Sequence, residues 1–255
     1  MISSRDNARV KRWAKLLRDS SLRKAERRAM IEGPHLVAEA LQAKLEPLAL
    51  LVSESALARD EVQKLLARRE PVVLSDAVFR SIADAENPQG IAAEIAIPEM
   101  KAKGDCVFLE GVQDPSNVGA IIRTAAAFGV GEVVLDRGCA DAWSPKTLRA
   151  GMGGHFRLAI RQVTSLDKEF DGFNGMLVCT VPANGIALRE ADLQGRVGWI
   201  FGAEGTGLSE PTIQRANLRL TVPMAGGTQS LNVAAAAAIC LYEAFIGRKN
   251  QPPAR

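Results

Sequence analysis

The sequence predicts an α/β fold: a C-terminal, mostly parallel sheet preceded by a smaller α/β domain. Three observations predict it. Beyond residue 104, apolar runs of strand length alternate with helix-length segments, and near-continuous apolar strands joined by helical crossovers belong to parallel sheets covered on both faces. Before residue 98, shorter strand and helix patterns gather a separate set of apolar residues. Between the two, Pro98 and Lys101-Ala102-Lys103-Gly104 interrupt the apolar pattern and mark a linker. A length of 255 residues suits two domains of about 100–150 residues, placed at 1–98 and 104–250.

In chain order, Val10, Trp13, Leu16 and Leu17 recur at helical spacing among basic residues and give a helix-rich arm. Met30 to Gly33 reads as a strand end, and Pro34 opens a helix to Ala43, proline being favoured at the first helical position. Leu48 to Val52 is a short strand, Ala56 to Arg69 a helix, Val72 to Leu74 a strand, and Gly90 to Ile97 an alternating strand. In the second half, strands are expected at Cys106–Leu109, Glu132–Leu135, Met176–Val181, Val197–Phe201 and Leu218–Val222. Helices are expected at Val118–Phe128, Lys146–Met152 and Leu231–Ile246, the last through a helix-favouring alanine run.

Composition excludes several classes. Hydrophobic residues make up 47% and charged residues 24%, as in ordinary globular proteins. The apolar stretch from Val233 stops at Glu243, short of the roughly 20 residues of a membrane span. No apolar segment follows the basic N-terminus, so no secretory signal is expected. Cys106, Cys139, Cys179 and Cys240 lie far apart without a CxxC, and the histidines are His35 and His155. That argues against a zinc knuckle, any other metal site and a disulfide framework, and fits a reducing cytoplasm. Cys179 and Cys240 read as buried structural residues.

The net charge of +3 conceals an asymmetry. Residues 1–30 hold ten Lys and Arg against Asp6, Asp19 and Glu26, so this arm carries +7 and the rest of the chain −4. A concentrated basic segment, with Arg9, Lys11, Arg12 and Lys15 at its centre, points to a polyanionic partner such as nucleic acid. A solvated helix face is the alternative. Trp13 could stack on a base or pack beneath the arm.

Three segments follow strand ends, where ligands of parallel sheets bind. The first, Glu110-Gly111-Val112-Gln113-Asp114-Pro115-Ser116-Asn117-Val118-Gly119, leads through Ala120-Ile121-Ile122 to Arg123. Asp114 or Ser116 can cap its helix. Arg123 stands on an otherwise apolar helix and needs a partner or a cleft. The second, Phe201-Gly202-Ala203-Glu204-Gly205-Thr206-Gly207-Leu208-Ser209, is glycine-rich but spells neither GxGxxG nor GxxxxGK[ST]. Its Glu204 would repel a phosphate, and a nicotinamide dehydrogenase is disfavoured. The third, Val222-Pro223-Met224-Ala225-Gly226-Gly227-Thr228-Gln229-Ser230-Leu231-Asn232-Val233, feeds the alanine-rich helix with Ser230 as a candidate cap and Asn232 in the first turn.

In order and spacing, NVGAIIRTAAAFG, FGAEGTGLS and VPMAGGTQSLNVAAA resemble the three signature motifs of the SpoU/TrmH family of RNA ribose 2′-O-methyltransferases, within the knotted SPOUT superfamily. The resemblance spans roughly 104–247 and extends upstream, where Ile31-Glu32-Gly33 and Asn87-Pro88-Gln89-Gly90-Ile91 are similar to landmarks of an RNA-binding domain that many members carry. Ala234 stands where many members have serine, and Gln229 falls at a variable position.

The resemblance implies a deep C-terminal trefoil knot, S-adenosylmethionine as cofactor, and a homodimer formed through the C-terminal domain. It places Gly202, Val222 and Leu231 at the cofactor, with Thr180, Pro182 and Met224 as further lining. It makes Arg123 central to activating the ribose hydroxyl, either as a base or by holding phosphate and stabilising developing alkoxide; a guanidinium that keeps its proton favours the second role. Asn117, Ser230 and Asn232 would position the ribose and Arg123. Glu204 would orient Arg123, within or across subunits, or shape its own loop. Arg149 and His155 fall in a region that tends to face substrate in this family. The added N-terminal domain resembles ribosomal-RNA members, so large-subunit rRNA is the expected substrate. The alternatives are tRNA, or a non-catalytic RNA-binding or ribosome assembly factor.

Overall fold

A computed structural model describes residues 1–67, 69–226 and 230–249. The chain forms two units, one of residues 1–99 with 143–156, the other of residues 100–142 with 157 onward.

In the first unit, α1 (Ala8–Arg18) begins where the Asn7 side chain accepts from the Arg9 N–H, and it buries Val10, Trp13, Leu16 and Leu17. Asp19 ends α1 and caps α2 (Ser20–Glu26), accepting from the Ser21 and Leu22 N–H groups. The chain continues as β1 (Arg28–Glu32), α3 (Pro34–Gln42), β2 (Ala49–Ser53), α4 (Asp60–Leu66), β3 (Val72–Leu74), α5 (Asp76–Ser81) and β4 (Ile91–Ala96). Its sheet has the order β1-β4-β2-β3, with β4 antiparallel to both neighbours and β2 parallel to β3. The helix expected over Ala56–Arg69 is shorter. A 3₁₀ turn at Glu54–Ala56 and the extended backbone of Arg59 delay α4 to Asp60, and Arg68 lies outside the described residues. Val10, Trp13, Leu16, Met30, Leu51 and Phe79 belong to one core.

A carboxylate crosses that core. Glu94 on β4 is only 3% exposed. It accepts from Trp13 Nε1 at 2.9 Å, Arg12 at 2.9 Å and Arg28 at 2.7 Å. Arg12 also pairs with Glu26. Burial opposes the ionisation of Glu94, but these three donors outweigh it and hold the carboxyl down to about 2.

The second unit opens with β5 (Cys106–Glu110), α6 (Pro115–Ala127) and β6 (Glu132–Leu135). The chain then returns to the first unit as α7 (Pro145–Gly151), which packs on β1. Residues 143–156, within the 104–250 span expected for the second domain, therefore belong to the first unit. The Ser144 side chain caps α7 by accepting from the Thr147 N–H, and Arg149 pairs with Asp84 at 2.5 Å. His155 is fully buried, edge-on to Trp143 at 5.3 Å, and does not face solvent.

The second unit resumes with β7 (Ala159–Gln162), α8 (Asp167–Asp171), β8 (Met176–Thr180), β9 (Ile186–Ala187), β10 (Val197–Gly202), α9 (Glu210–Arg215), β11 (Leu218–Thr221) and α10 (Val233–Lys249). Its seven strands lie in the order β7-β6-β5-β10-β8-β11-β9, and every pairing is parallel. Cys106, Phe108, Phe170, Cys179 and Ile200 form one core cluster. Helices α6 and α10 pack on each other, and α10 on β10. All four cysteines are free and buried, and burial pushes the Cys240 thiol up to about 12. Among the described residues no helix is long and apolar enough to cross a membrane.

Candidate active site

Strands β6 and β7 extend the sheet on one side of β5, while β10, β8 and β11 extend it on the other. Beyond the carboxyl ends of β5 and β10 the following loops diverge, and such a switch point is where open parallel sheets bind ligands. Glu110 and Gly202 are register partners there. Thr180 ends β8, the strand between β10 and β11, and pairs with Leu220. Val222 follows β11, so Gly202, Thr180 and Val222 stand at three successive strand ends. Pro182 is exposed just past β8, while Met224 and Leu231 flank a segment of which residues 227–229 lie outside the described part. A cavity of about 230 Å³, lined by Asp105, Phe128, Val130, Trp199, Leu241 and Arg248, sits beside Asp105 at the amino end of β5, opposite these strand ends.

Glycine at 202 has a steric reason. A Cβ there would come within 2.4 Å of the Gly207 carbonyl carbon and 2.5 Å of the Leu208 nitrogen, because residues 203–207 fold back on themselves. The Gly207 N–H donates to the Ala203 carbonyl at 2.9 Å, closing that loop.

The three segments are joined by side chains. Asn232 Nδ2 donates to Asn117 Oδ1 at 3.0 Å, and Asn117 Nδ2 donates to Glu204 Oε1 at 2.7 Å. The Gln113 N–H reaches the other Glu204 oxygen at 3.4 Å. Burial raises the Glu204 carboxyl, yet the Asn117 amide and the surrounding backbone N–H groups outweigh it and hold the group below the usual carboxylate range. Glu204 is thus engaged with Asn117 rather than with Arg123. Asn232 Oδ1 accepts from the Ala234 and Ala235 N–H groups, so Asn232 caps α10. Ser230, the cap expected from sequence, lies two residues too early and is exposed. Of the two candidate caps of α6, Asp114 fills the position and accepts from Ser116 N–H. Arg123 lies farther along α6, exposed, with no hydrogen-bond or ion-pair partner among the described residues.

The basic arm divides. Arg9, Lys11 and Lys15 face solvent, Arg9 over the Trp13 ring at 4.9 Å, Lys11 beside Asp6 and Lys15 beside Asp19. Arg12 is instead turned inward onto Glu94 and Glu26. Trp13 is 1% exposed, so it packs beneath the arm and offers no face to a base.

Sequence reasoning passed over the carboxylates that fix the loops. Asp136, at the end of β6, accepts from the Gly111, Gly138 and Cys139 N–H groups, which stabilises the left-handed turn at Gly111. Glu110 accepts from Ser209 and Thr212. The available signal was an acidic residue closing each of two apolar strand runs.

Fold and site together define an α/β protein with a candidate ligand site at the carboxyl edge of a parallel sheet, assembled from three segments that follow strand ends. Residues 105–242 match the SpoU rRNA Methylase family, and residues 7–93 match an MRM3-like substrate binding domain. The chain belongs to the SpoU rRNA methylase family. It is 35% identical over 245 residues to the 23S rRNA (guanosine(2553)-2′-O)-methyltransferase RlmP of Bacillus subtilis, a match covering 94% of this chain and 97% of that one. Among solved structures, it resembles an RNA 2′-O ribose methyltransferase at 33% identity and TM-score 0.81, covering 97% and 99% of the two chains. It also resembles the AdoMet-bound rRNA methyltransferase of Sinorhizobium meliloti at 28% identity and TM-score 0.82, covering 98% of each chain.

Proposed function

We propose that this protein transfers a methyl group from S-adenosylmethionine to a ribose 2′-hydroxyl of large-subunit rRNA. The observation that carries the reading is the hydrogen-bonded chain Asn232–Asn117–Glu204, which ties together the three family segments at the switch point. The cofactor would lie against Gly202, Val222 and Leu231, with Thr180, Pro182 and Met224 around it. None of these six residues is charged, which suits a ligand that brings its own sulfonium and no phosphate. When bound, S-adenosylmethionine supplies the electrophilic methyl.

The protein's own residues do the positioning. Asn117, Ser230 and Asn232 offer neutral hydrogen bonds to the ribose. Arg123, without a hydrogen-bond or ion-pair partner among the described residues, holds the neighbouring phosphate and stabilises the negative charge that grows on the 2′-oxygen as its proton passes to solvent water. Glu204 acts through Asn117. Arg9, Lys11 and Lys15 are the arm's phosphate contacts, with Arg12 supporting the helix that carries them. The C-terminal segments form a trefoil knot, and the exposed Ile239 and Tyr242 on α10 suit a homodimer interface. The setting is cytoplasmic.

Ribose-methylation mapping of total RNA from cells with and without the gene tests this. We expect one 2′-O-methyl group to vanish from large-subunit rRNA. Loss of a mark in tRNA would move the substrate to that class, and an unchanged map would overturn the reading.

A further inference from the structure

Glu110 joins the first segment to the second, and nothing in the catalytic reading uses it. One carboxylate oxygen accepts from Ser209 Oγ at 2.7 Å and Thr212 Oγ1 at 2.8 Å, the other from the Ser209 N–H at 2.9 Å. Each hydroxyl has a single proton: that of Thr212 points at Glu110, and that of Ser209 is shared between Glu110 and Thr212 Oγ1, 3.1 Å away, so the position calls for an accepting group. Thr212 is 7% exposed, which makes that acceptor costly to lose. Glu204 makes the reverse connection: it leaves the tip of the same loop and binds Asn117 and the Gln113 N–H, on the segment that begins at Glu110. The two segments are therefore fastened twice by carboxylates running in opposite directions. Between the fasteners, the backbone at Gly202 is confined by Gly207 and Leu208.

We infer that Glu110 is a positioning residue for cofactor binding: by fixing Ser209 and Thr212 it sets the conformation of the 202–209 loop and hence the cofactor's edge of the site. This rests on the reading of that loop as the cofactor border. Loss of the acceptor frees the loop's C-terminal end, and S-adenosylmethionine must then order it on binding.

The test is calorimetric titration of S-adenosylmethionine into the full-length wild type and the Glu110→Gln, Thr212→Val and Ser209→Ala variants. Glutamine turns an amide N–H₂ toward one of the donors. Glu110→Gln should raise Kd by about tenfold or more, equivalent to about 1.4 kcal/mol, with binding stoichiometry unchanged. Thr212→Val and Ser209→Ala should give smaller increases. A merely destabilising change would lower the stoichiometry and leave Kd of the folded molecules where it was. Glu110→Gln binding within twofold of wild type overturns the inference. If that variant does not fold, the other two decide: at least a threefold weakening in either supports the role, and wild-type affinity in both overturns it. A wild type that fails to bind S-adenosylmethionine would instead overturn the functional reading, and this inference with it.

Discussion

Replacing Glu94 with glutamine should uncouple the basic arm from the sheet beneath it. The carboxyl sits at about 2 in the folded protein against an ordinary value of 4.5, and its side chain is buried. That difference corresponds to about 3 kcal/mol of stability at neutral pH. Glutamine imitates the protonated form: it can still accept from Trp13 but leaves Arg12 and Arg28 facing a neutral group. We expect Glu94→Gln to cost about 2–3 kcal/mol at pH 7. Because the folded value is depressed, the stabilisation is fully present above about pH 5 and is lost as pH falls toward 2. The gap between wild type and variant should therefore shrink to roughly half at pH 3. Urea unfolding of both proteins at pH 7, 5 and 3, followed by tryptophan fluorescence, measures it. A gap below about 0.5 kcal/mol at pH 7, or one unchanged between pH 5 and 3, would refute the reasoning.

Arg123→Ala should abolish methyl transfer while leaving S-adenosylmethionine affinity within about twofold, and Arg123→Lys should fail as well, because a point charge does not replace a planar fork; normal turnover in either would remove Arg123 from the chemistry. Gly202→Ala must displace the Gly207–Leu208 backbone, so calorimetry should show at least about tenfold weaker cofactor binding. Removing Arg9 or Lys15 should lower the slope of log Kd for RNA against log salt by about one each without altering thermal stability. Arg12→Ala should behave oppositely, lowering stability more than the salt slope, and a pure salt effect would return Arg12 to the RNA contacts.

Much of this fold was legible because its signals are local. The spacing of Val10, Trp13, Leu16 and Leu17 marks α1, and the apolar runs from Cys106, Met176 and Val197 mark the central strands. What escaped has weak local signals. β7 carries Arg161 paired with Glu132 and Glu169, and β9 has two residues on an edge, so neither shows a sustained apolar period. The order of the parallel strands is set by crossovers, which leave no local trace. In the site, residue types and segments were readable, but partner choices were not. Nothing in the sequence tells Glu204 to meet Asn117 instead of Arg123, or Arg12 to turn inward while Arg9 turns out. Capping of α10 by Asn232 rather than Ser230 is a two-residue displacement that helix periodicity cannot resolve.

The return of α7 to β1 bears on how the chain folds as it leaves the ribosome. The first unit is discontinuous: its last element is synthesised only after β5, α6 and β6 have emerged. N-terminal domains usually fold as they appear, but here the surface of β1 that receives α7 stays uncovered across a delay of more than forty residues. Completion of the first unit thus waits on partial synthesis of the second. A chain truncated near residue 100 would lack α7, and such a fragment is an unsuitable stand-in for the intact first unit.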